Sequence, residues 1–266
     1  MDKKKINPYI EALTLIKNRL LFDLRFSSFG NRKKLARYKD KHLNEKAIIV
    51  CNGPSLKYVN FDEIQESGIF TIGLNKINLL FDTVKYRPNI IVAINEMVIE
   101  QNFDFYYQTE IPVFLDYDGI KRAGKLDQVN KIKNFYMLHT ADMAGRFAED
   151  VSESICAGYT VTYAAMQIAF HLGFKEVAVI GCDHNFVSQG TANKLIEQKG
   201  QEDNHFIPNY FSPGSKWHLP DLLGSEFHYQ IARDTYLKND RALYNCTEGG
   251  KLELFERRKL SEFLKK

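Results

Sequence analysis

The chain has 266 residues, of which 44% are hydrophobic and 26% are charged. This composition is typical of a globular protein with one large core and excludes a disordered chain. No apolar run approaches the roughly 18 to 20 residues of a membrane-spanning helix, and the N-terminus lacks the apolar block of a signal peptide. The four cysteines stand singly, so we expect reduced, buried thiols in a cytoplasmic protein: Cys51, Cys156, Cys182 and Cys246.

The positive charge is concentrated near the N-terminus. Residues 1–46 contain 13 Lys and Arg against 5 Asp and Glu, a net +8, so with +3 for the whole chain the remainder carries −5. The spacing of apolar residues in this segment predicts a basic amphipathic helical arm over residues 1–45. The arm packs on the protein body or pairs with a helix of another chain. The alternative is peripheral contact with the inner face of the membrane, and nucleic acid is disfavoured because the main body is acidic. The apolar series is Ile10, Leu13, Leu15, Ile16, Leu20, Leu21, Phe22 and Leu24.

After Glu45, short apolar runs alternate with helical or turn segments, as in βαβ units. Most runs are continuous rather than alternating, which is typical of parallel strands that are covered on both faces. We therefore predict a Rossmann-like, mostly parallel α/β sheet flanked by helices, forming a nucleotide-binding domain over residues 46–266. The predicted strands are Ala47–Cys51, Phe70–Leu74, Ile90–Ile94, Pro112–Leu115, Phe135–Leu138, Val177–Gly181 and Ala242–Tyr244.

Helical spacing predicts helices over Gly158–Leu172, Phe227–Lys238 and Leu260–Lys266. The stretch from Phe186 to Leu223 is polar, shows no period and is long for a loop. Its aromatic residues, including Tyr210 and Trp217, argue against disorder. Loops of this length in compact domains are usually lids or substrate-binding segments, so we expect residues 186–223 to form an active-site loop.

The first candidate motif is Cys51-Asn52-Gly53-Pro54-Ser55-Leu56, directly after a predicted strand. Gly53 allows a close backbone turn, Pro54 fixes φ, and the Ser55 side chain can cap the next helix. We expect backbone N–H groups and the helix dipole to face an anion such as a phosphate. The motif is neither a Walker A loop nor a dinucleotide fingerprint, and an ordinary strand–turn–helix is the alternative interpretation.

Further polar or small residues follow other predicted strands or begin a helix, where open α/β sheets bind their ligands. Asn75 and Asn95 each follow a strand and can present an amide to a base or a sugar hydroxyl, or simply form a turn. The ionisable Asp183 and His184 end the strongest strand, a position that packing alone does not explain. The remaining candidates are Ala157 and Gly158 at a helix N-terminus, Asn185, and the turn with Thr247 and Gly249.

These segments resemble, in order and spacing, the bacterial sialyltransferases of the Campylobacter type, which use CMP-sialic acid. The residues that carry the resemblance are AIIVCNGPSLK, Asn75, Asn95 and CAGYTVTYAAMQIAFHLGFKEVAVIGCDHNF. The Asn-Gly-Pro-Ser-Leu turn and the Gly-x-Asp strand end are also similar to the MptE-like family, which includes pterin diphosphokinases and relatives of flagellin nonulosonic-acid transferases. The segment YNCTEGGKLELFERRKL resembles MptE-like proteins associated with surface polysaccharide.

The sialyltransferase resemblance implies that Asn52, Gly53 and Ser55 approach the nucleotide phosphate and ribose. It implies that Asn75 and Asn95 hold the nucleotide and donor sugar, while Ala157-Gly158 lines the site. The family has an Arg where this chain has Ser154, and a Tyr where it has Asn185. Stabilisation of the leaving group must therefore differ, with Asn185, Lys216 and Tyr210 as candidates.

The same resemblance implies a glycosyltransferase of surface-glycan synthesis that moves a nonulosonic acid from a CMP-sugar donor to the hydroxyl of a glycan acceptor. A neutral histidine would take the acceptor proton, with His218 as the first candidate and His205 and His228 behind it. Asp183 and His184 are further catalytic candidates. No metal or cofactor is expected, because a CMP-sugar carries one phosphate. The oligomeric state, including a homo-oligomer, stays open.

The alternatives are an MptE-like, ATP-dependent diphosphokinase, which requires Mg²⁺ to bridge the phosphates, and a non-catalytic nucleotide-binding relative. The diphosphokinase would gain support if Asp183, His184, Asp203 and His205 converged on a metal. Asp116-Tyr117-Asp118 has the Asp-x-Asp form that glycosyltransferases use for divalent ions, although an acidic turn also explains it. His139 and His171 are predicted to be structural.

Overall fold

The computed structural model describes residues 7–141, 143, 145–185, 190–198 and 204–265. Twelve strands are found among them. In chain order they are β1 (Lys46–Val50), β2 (Phe70–Leu74), β3 (Ile90–Ala93), β4 (Val113–Asp116), β5 (Phe135–Leu138), β6 (Thr140–Ala141), β7 (Ile155–Cys156), β8 (Glu176–Ile180), β9 (Leu195–Glu197), β10 (Lys216–His218), β11 (Ala242–Asn245) and β12 (Glu256–Arg257).

Eight of these strands form one sheet in the order β12-β11-β8-β1-β2-β3-β4-β5, and every neighbouring pair is parallel. All seven predicted strands are present, with ends that differ by at most one residue. The predicted Rossmann-like sheet is therefore confirmed. The short strand β12 was not predicted, because Glu256 and Arg257 are both exposed and lack the apolar signal of a buried strand.

Helices cover both faces of this sheet. In chain order they are α1 (Pro8–Asp23), α2 (Phe26–Ala36), α3 (Phe61–Ser67), α4 (Glu96–Gln101), α5 (Phe103–Gln108), α6 (Tyr117–Arg122), α7 (Leu126–Val129), α8 (Val161–Leu172), α9 (Leu222–Lys238) and α10 (Leu260–Phe263), with 3₁₀ turns at Pro54–Tyr58 and Ile77–Leu80.

The alternation of side chains along β1 shows how the core is divided. Ala47 and Ile49 pack into a cluster with residues of α8 and α9, whereas Ile48 and Val50 pack on the other face with residues of α3, α4, α5 and α10. All four side chains are fully buried. Burial on both faces explains why the strands read as continuous apolar runs in the sequence.

Two predicted helix starts are wrong. The helix predicted from Gly158 begins at Val161, because Gly158 and Tyr159 have positive φ values of 55° and 63° and Thr160 caps the first turn. The helix predicted from Phe227 begins at Leu222, where the Asp221 carboxylate accepts a hydrogen bond from the Gly224 N–H at 2.8 Å. The apolar period over Leu222–Glu226 is too weak to reveal this extra turn.

The order of the sheet reverses between β1 and β8. The chain runs outward from β1 through β5 on one side and from β8 through β12 on the other. The carboxyl ends of β1 and β8 therefore lie at the switch point of the sheet, which is where open α/β sheets bind ligands. The sequence Asn52–Ser55 leaves β1 at this point, and Gly181–Asn185 leaves β8.

The N-terminal arm packs partly on the sheet. Phe22 of α1 and Leu35 of α2 are buried in the two cores, and the Asn31 amide pairs with both backbone groups of Met137. Most of the predicted apolar series of α1 nevertheless remains exposed. Among the described residues, no helix is both long and apolar enough to cross a membrane.

The predicted active-site loop contains folded structure. Strands β9 and β10 pair in antiparallel fashion, and Tyr210, Phe211, Trp217 and Leu219 form a small core of their own. We call residues 190–198 and 204–219 the hairpin segment. Residues 186–189 and 199–203, including Asp203, lie outside the described residues.

Candidate functional site

The turn after β1 is held against the end of β8. The Gly53 N–H donates to the Gly181 carbonyl at 2.8 Å, and the Ser55 hydroxyl donates to Asp183 Oδ2 at 2.7 Å. The Ser55 N–H also points to the Asp183 carboxylate, at 3.2 Å from Oδ1. These contacts correct the expected geometry. The N–H groups of Gly53 and Ser55 are used within the protein, and the element that follows is a 3₁₀ turn rather than an α-helix.

Asp183 and Ser55 therefore position the turn. Pro54 and Ser55 do not line the cavity beside the turn, whereas Asn52 and Gly53 do. This small cavity has a volume of about 150 Å³ and lies between the ends of β1, β2 and β8. Asn75, Asp183, His184 and Asn185, all predicted site residues, also line it.

Asn52 and Asn75, which line the small cavity, each carry an amide oxygen that is buried without a hydrogen-bond partner in the described chain. The amide nitrogen of Asn52 donates to the Leu74 carbonyl at 3.0 Å, which fixes the orientation of that side chain. Asn75 has a positive φ of 50°, and its carbonyl accepts from the Tyr106 hydroxyl at 2.9 Å. An unpaired buried acceptor is costly, so both oxygens are suited to a ligand that brings N–H or O–H donors.

His184 is fixed by a carboxylate from α9. Its Nε2 lies 2.9 Å from Glu226 Oε1, and only 6% of its side chain is exposed. The residue has a positive φ of 52°, which is uncommon for a side chain of this size. No local sequence signal singles out Glu226, which lies in α9, 42 positions further along the chain.

A large cleft of about 500 Å³ adjoins the small cavity, and Asn75, Tyr159, Thr160, Val161, His205 and Pro220 line both. Asn95, Ala157 and His218 lie on its walls, as does Arg122. The Asn95 oxygen caps α4 by accepting from the Met97 N–H at 2.9 Å. His218 is exposed on β10, so its imidazole is accessible from the large cleft.

A third space, which we call the arm cleft, has a volume of about 760 Å³ and is bounded by α1. It shares Ile94, Asp116, Arg122, Ala157 and Tyr159 with the large cleft. The Gly158 that lines it packs against the Tyr163 ring, leaving no room for a side chain. Arg19 of α1 donates to Ser154 Oγ at 3.2 Å on this wall.

The other candidate histidines are engaged in the interior. In His228, Nε2 accepts from the Gly145 N–H at 3.2 Å, so Nδ1 carries the proton and donates to the Gly224 carbonyl at 2.8 Å. Both nitrogens are used, which argues against His228 as a base. The ring of His205 stacks on Tyr210 at 3.9 Å. His139 bonds to Ser154, and His171 bonds to the Leu35 carbonyl.

Asp116 at the end of β4 caps α6. Its Oδ2 accepts from the Gly119 N–H at 2.8 Å, and its Oδ1 accepts from the Thr140 hydroxyl at 2.5 Å. Burial raises the pKa of this carboxyl to about 6, although the two hydrogen bonds oppose the rise. Within the described ranges, no three Asp, Glu, His or Cys side chains are grouped as a metal site.

The turn after β11 supports the site from behind. The Thr247 hydroxyl accepts from the Cys182 N–H at 3.1 Å, and the Lys251 N–H donates to the Asp183 carbonyl at 2.8 Å. The Gly249 carbonyl accepts from Arg257 at 2.8 Å. Thr247 and Gly249 are not among the lining residues of the three spaces. Through Thr247 and Lys251, this turn braces the end of β8.

A model of the family described as 6-hydroxymethylpterin diphosphokinase MptE-like matches residues 26–189. Among solved structures, the chain is similar to the MAf glycosyltransferase from Magnetospirillum magneticum AMB-1, with 17% identity and a TM-score of 0.48 over 88% of this chain and 39% of that one. It is also similar to the sialyltransferase CstII from Campylobacter jejuni, solved with cytidine-5'-monophosphate, with 14% identity and a TM-score of 0.45 over 81% of this chain and 85% of that one.

The chain thus spans well under half of the Magnetospirillum protein. A search of the curated proteins gives no match. The family model covers more than half of the chain, including the turn after β1 and the ends of β2, β3 and β8. The chain belongs to the MptE-like family.

Proposed function

We propose that this protein is a glycosyltransferase that moves a nonulosonic acid, sialic acid or a relative, from a CMP-linked donor to an acceptor hydroxyl. The observation that carries the proposal is the pair of unpaired amide oxygens, Asn52 Oδ1 and Asn75 Oδ1, at the switch point of the sheet. The amino group of a cytosine and the hydroxyls of a ribose are donors that these oxygens can accept. The sequence resemblance to CMP-sialic-acid enzymes supports the same ligand.

The small cavity takes the nucleoside, and the adjoining large cleft takes the donor sugar and the acceptor. Among its described lining residues, the small cavity contains Asp183 but no Lys or Arg. The large cleft contains Arg122, whose guanidinium lies 3.5 Å from Glu96 and whose side chain is 70% exposed. A single arginine is suited to one phosphate or to the carboxylate of a nonulosonic acid.

His218 is the proposed base. Its neutral imidazole takes the proton of the acceptor hydroxyl while the acceptor oxygen bonds to the anomeric carbon of the donor. The bond between that carbon and the phosphate oxygen breaks, and CMP leaves with the electron pair. Asp183 and the His184–Glu226 pair act as positioning groups, because they hold the turn and the strand end around the nucleoside.

Ligand binding is tested by thermal shift with CMP, CDP, ATP and GTP, each with and without Mg²⁺, because a ligand that binds the native state raises its stability. We expect CMP to stabilise the protein without metal. In the Asn75→Gly variant, which suits the positive φ but lacks the amide, the CMP shift should be lost. Asn44→Gly is the matched control, since exposed Asn44 also has a positive φ, of 66°, and lies outside the cleft.

Catalysis is tested by following CMP release and product formation from CMP-sialic acid. We expect His218→Ala to lower kcat by roughly 10²–10⁴-fold while the CMP thermal shift is unchanged. Lys194→Ala is the control, because Lys194 is exposed beside β9 and lies outside the cleft lining. Full activity of His218→Ala would remove this histidine from the mechanism.

The second candidate is the diphosphokinase after which the family model is described. Transfer of diphosphate from ATP needs Mg²⁺ to bridge the phosphates. The oxygens of Asp116 and Asp183 already accept hydrogen bonds from Gly119, Thr140 and Ser55, so neither carboxylate is free of protein partners. Stabilisation by ATP only in the presence of Mg²⁺, with none by CMP, would favour this candidate over the first.

A further inference from the structure

Helix α1 presents its apolar side to solvent. Tyr9, Leu13, Ile16, Leu20 and Leu24 are spaced by four, three, four and four residues, so they lie along one side of the helix. Each of these side chains is between 52% and 80% exposed. We call these five residues the outer stripe. Because the stripe faces away from the core, the usual packing of an amphipathic helix does not explain it.

The opposite side of α1 attaches the helix to the body. Phe22 is 1% exposed and packs edge-on against Tyr117 with ring centroids 5.3 Å apart. Arg19 bonds to Ser154 of the body, and its Nε bonds to Asp23 of the same helix at 2.7 Å. The rotation of α1 about its axis is therefore fixed by contacts with the body, and this rotation keeps the outer stripe exposed.

The exposed apolar surface extends beyond the stripe. Ile10 and Leu21 flank it on α1, and Phe29 of α2 is also exposed. Large contiguous apolar patches on a protein surface usually mark an interaction site. On α1 itself, Lys17 and Arg19 balance Glu11 and Asp23, so the basic excess of the arm lies in the segments that flank this helix. On α2, the Lys33 ammonium lies 4.4 Å from the centre of the Phe29 ring.

The charge of the arm decides between two occupants of this surface. Residues 1–46 carry a net charge of +8, while the rest of the chain carries −5. A second copy that docked through the same face would bring two strongly basic arms together. Anionic lipid head groups instead complement the charge, and the acyl boundary accepts the apolar side chains. We propose that the outer stripe docks on an anionic membrane surface, with α1 lying parallel to it.

The arm cleft gives a further reason for a membrane, and this reason rests on the proposed function. Ile16 and Leu20 belong to the outer stripe and also line the arm cleft, which shares Asp116, Arg122 and Ala157 with the large cleft. Docking of α1 therefore brings the mouth of the arm cleft to the lipid surface. An acceptor hydroxyl carried on a membrane lipid could then enter from the side of the stripe.

Docking is tested with the full chain by vesicle flotation, which requires no activity. We expect binding to vesicles of phosphatidylcholine mixed with phosphatidylglycerol to be roughly tenfold or more tighter than to phosphatidylcholine alone, and to weaken at high salt. The Leu13→Glu/Leu20→Glu variant should lose most of this binding. Leu237→Glu should not, because Leu237 is equally exposed, at 60%, but lies near the end of α9.

A spectroscopic measurement covers the case in which the double variant misfolds. The four native cysteines are buried, so a cysteine introduced at position 13 can be labelled selectively with an environment-sensitive fluorophore. With anionic vesicles, Leu13→Cys should show a blue shift that Leu237→Cys lacks. The absence of vesicle binding, or equal binding by the double variant, would overturn the proposal. So would a dimer in sedimentation equilibrium that the double variant abolishes, because a second copy would then cover the stripe.

Discussion

Gly53 is needed because there is no space for a side chain at this position, and not because its backbone has an unusual dihedral angle. Its φ of −72° suits any residue, yet a Cβ here would overlap the Asp183 carboxylate and lie 2.6 Å from the Gly181 carbonyl oxygen. The turn after β1 and the end of β8 approach so closely only because this position lacks a side chain. The small cavity depends on that approach.

We expect Gly53→Ala to lower the free energy of unfolding by about 1–3 kcal/mol, because the backbone of Gly181 cannot move away cheaply. The control is Gly30→Ala. Gly30 is exposed within α2 and has no atom within 4 Å of the added Cβ, so alanine should stabilise the protein by about 0.5–1 kcal/mol through its helix propensity. Urea denaturation of both variants measures the two effects. A neutral Gly53→Ala would contradict the close packing of the two loops.

Asp116 should make the stability of the protein depend on pH. Burial raises the pKa of this carboxyl from 3.8 to about 6, so between these values the native state holds a proton that the unfolded state has released. The contribution of the group to stability is fully present below about pH 4 and is lost as the pH rises through about 6, a difference of at most about 3 kcal/mol.

The Asp116→Asn variant tests this dependence. An asparagine oxygen can still accept from the Gly119 N–H, and its nitrogen can donate to the Thr140 hydroxyl. We therefore expect the variant to gain stability relative to the wild-type protein as the pH rises from about 4 to about 7. Chemical denaturation across this range gives the difference, and parallel pH profiles of the two proteins would contradict the raised pKa.

The location of a single residue in the fold was predictable where the residue directly follows a predicted strand. Asn52 and Asn75 follow buried strands, and parallel strands bring their carboxyl ends to one edge, so the sequence was enough to place both amides at the small cavity. Ser55 was different. Its hydroxyl is used by Asp183, which lies 128 residues further along the chain, and local sequence cannot reveal such a partner.

Among the elements, the hairpin segment depends on a buried lysine. The Lys76 ammonium donates to Gln101 Oε1 at 2.6 Å and to the Tyr210 carbonyl at 3.0 Å. It also lies 4.8 Å from the centre of the Phe211 ring. Burial lowers the pKa of Lys76 to about 8. One side chain thus joins the end of β2 to the segment that carries His218.

We expect Lys76→Met to loosen the hairpin segment, because methionine fills the space between the aromatic rings but makes neither hydrogen bond. Hydrogen exchange should become faster in residues 204–219 and stay unchanged in β1 and β8. Lys194→Met, at an exposed position in the same segment, is the control and should leave exchange unaltered. Unchanged exchange in Lys76→Met would show that the aromatic cluster holds the hairpin by itself.

The elements also show where sequence patterns reach their limit. Apolar runs predicted the seven strands because both faces of the sheet are covered. The helical spacing of apolar residues in α1 was equally clear, but such spacing shows only that these residues lie on the same side of the helix. The spacing does not show whether that side faces the core or the solvent, and in this protein the apolar side of α1 faces the solvent. The hairpin segment was missed because its strands have three residues each and alternate too briefly to give a signal.

For the molecule as a whole, the buried thiols report on global unfolding. All four cysteines are buried, and burial raises the pKa of Cys156 and, to about 12, that of Cys246. The hydrogen bond with Cys182 and burial raise the pKa of Cys51. Since thiolates are the reactive species, a thiol reagent should modify the native protein only as fast as it unfolds.

The measurement compares the rate of thiol labelling with the rate of unfolding extrapolated from denaturant. We expect the two rates to agree and all four thiols to react together. Cys51 and Cys182 line the small cavity, so a fast phase confined to these two would show instead that the cavity opens in the native state. Suppression of that phase by CMP would then place the nucleotide in the same space.

The sharing of Ile16 and Leu20 between the outer stripe and the arm cleft has a thermodynamic consequence. If a ligand in the arm cleft and a membrane surface both contact these two side chains, the binding of the ligand alters the affinity of the protein for the membrane, and the binding of the membrane alters its affinity for the ligand. Linkage requires the two effects to be equal in size, so a membrane that tightens substrate binding by some factor is itself bound more tightly by that factor when the cleft is filled. A peripheral helix that forms part of the cleft wall thus makes the location of the protein and the occupancy of its cleft a single equilibrium.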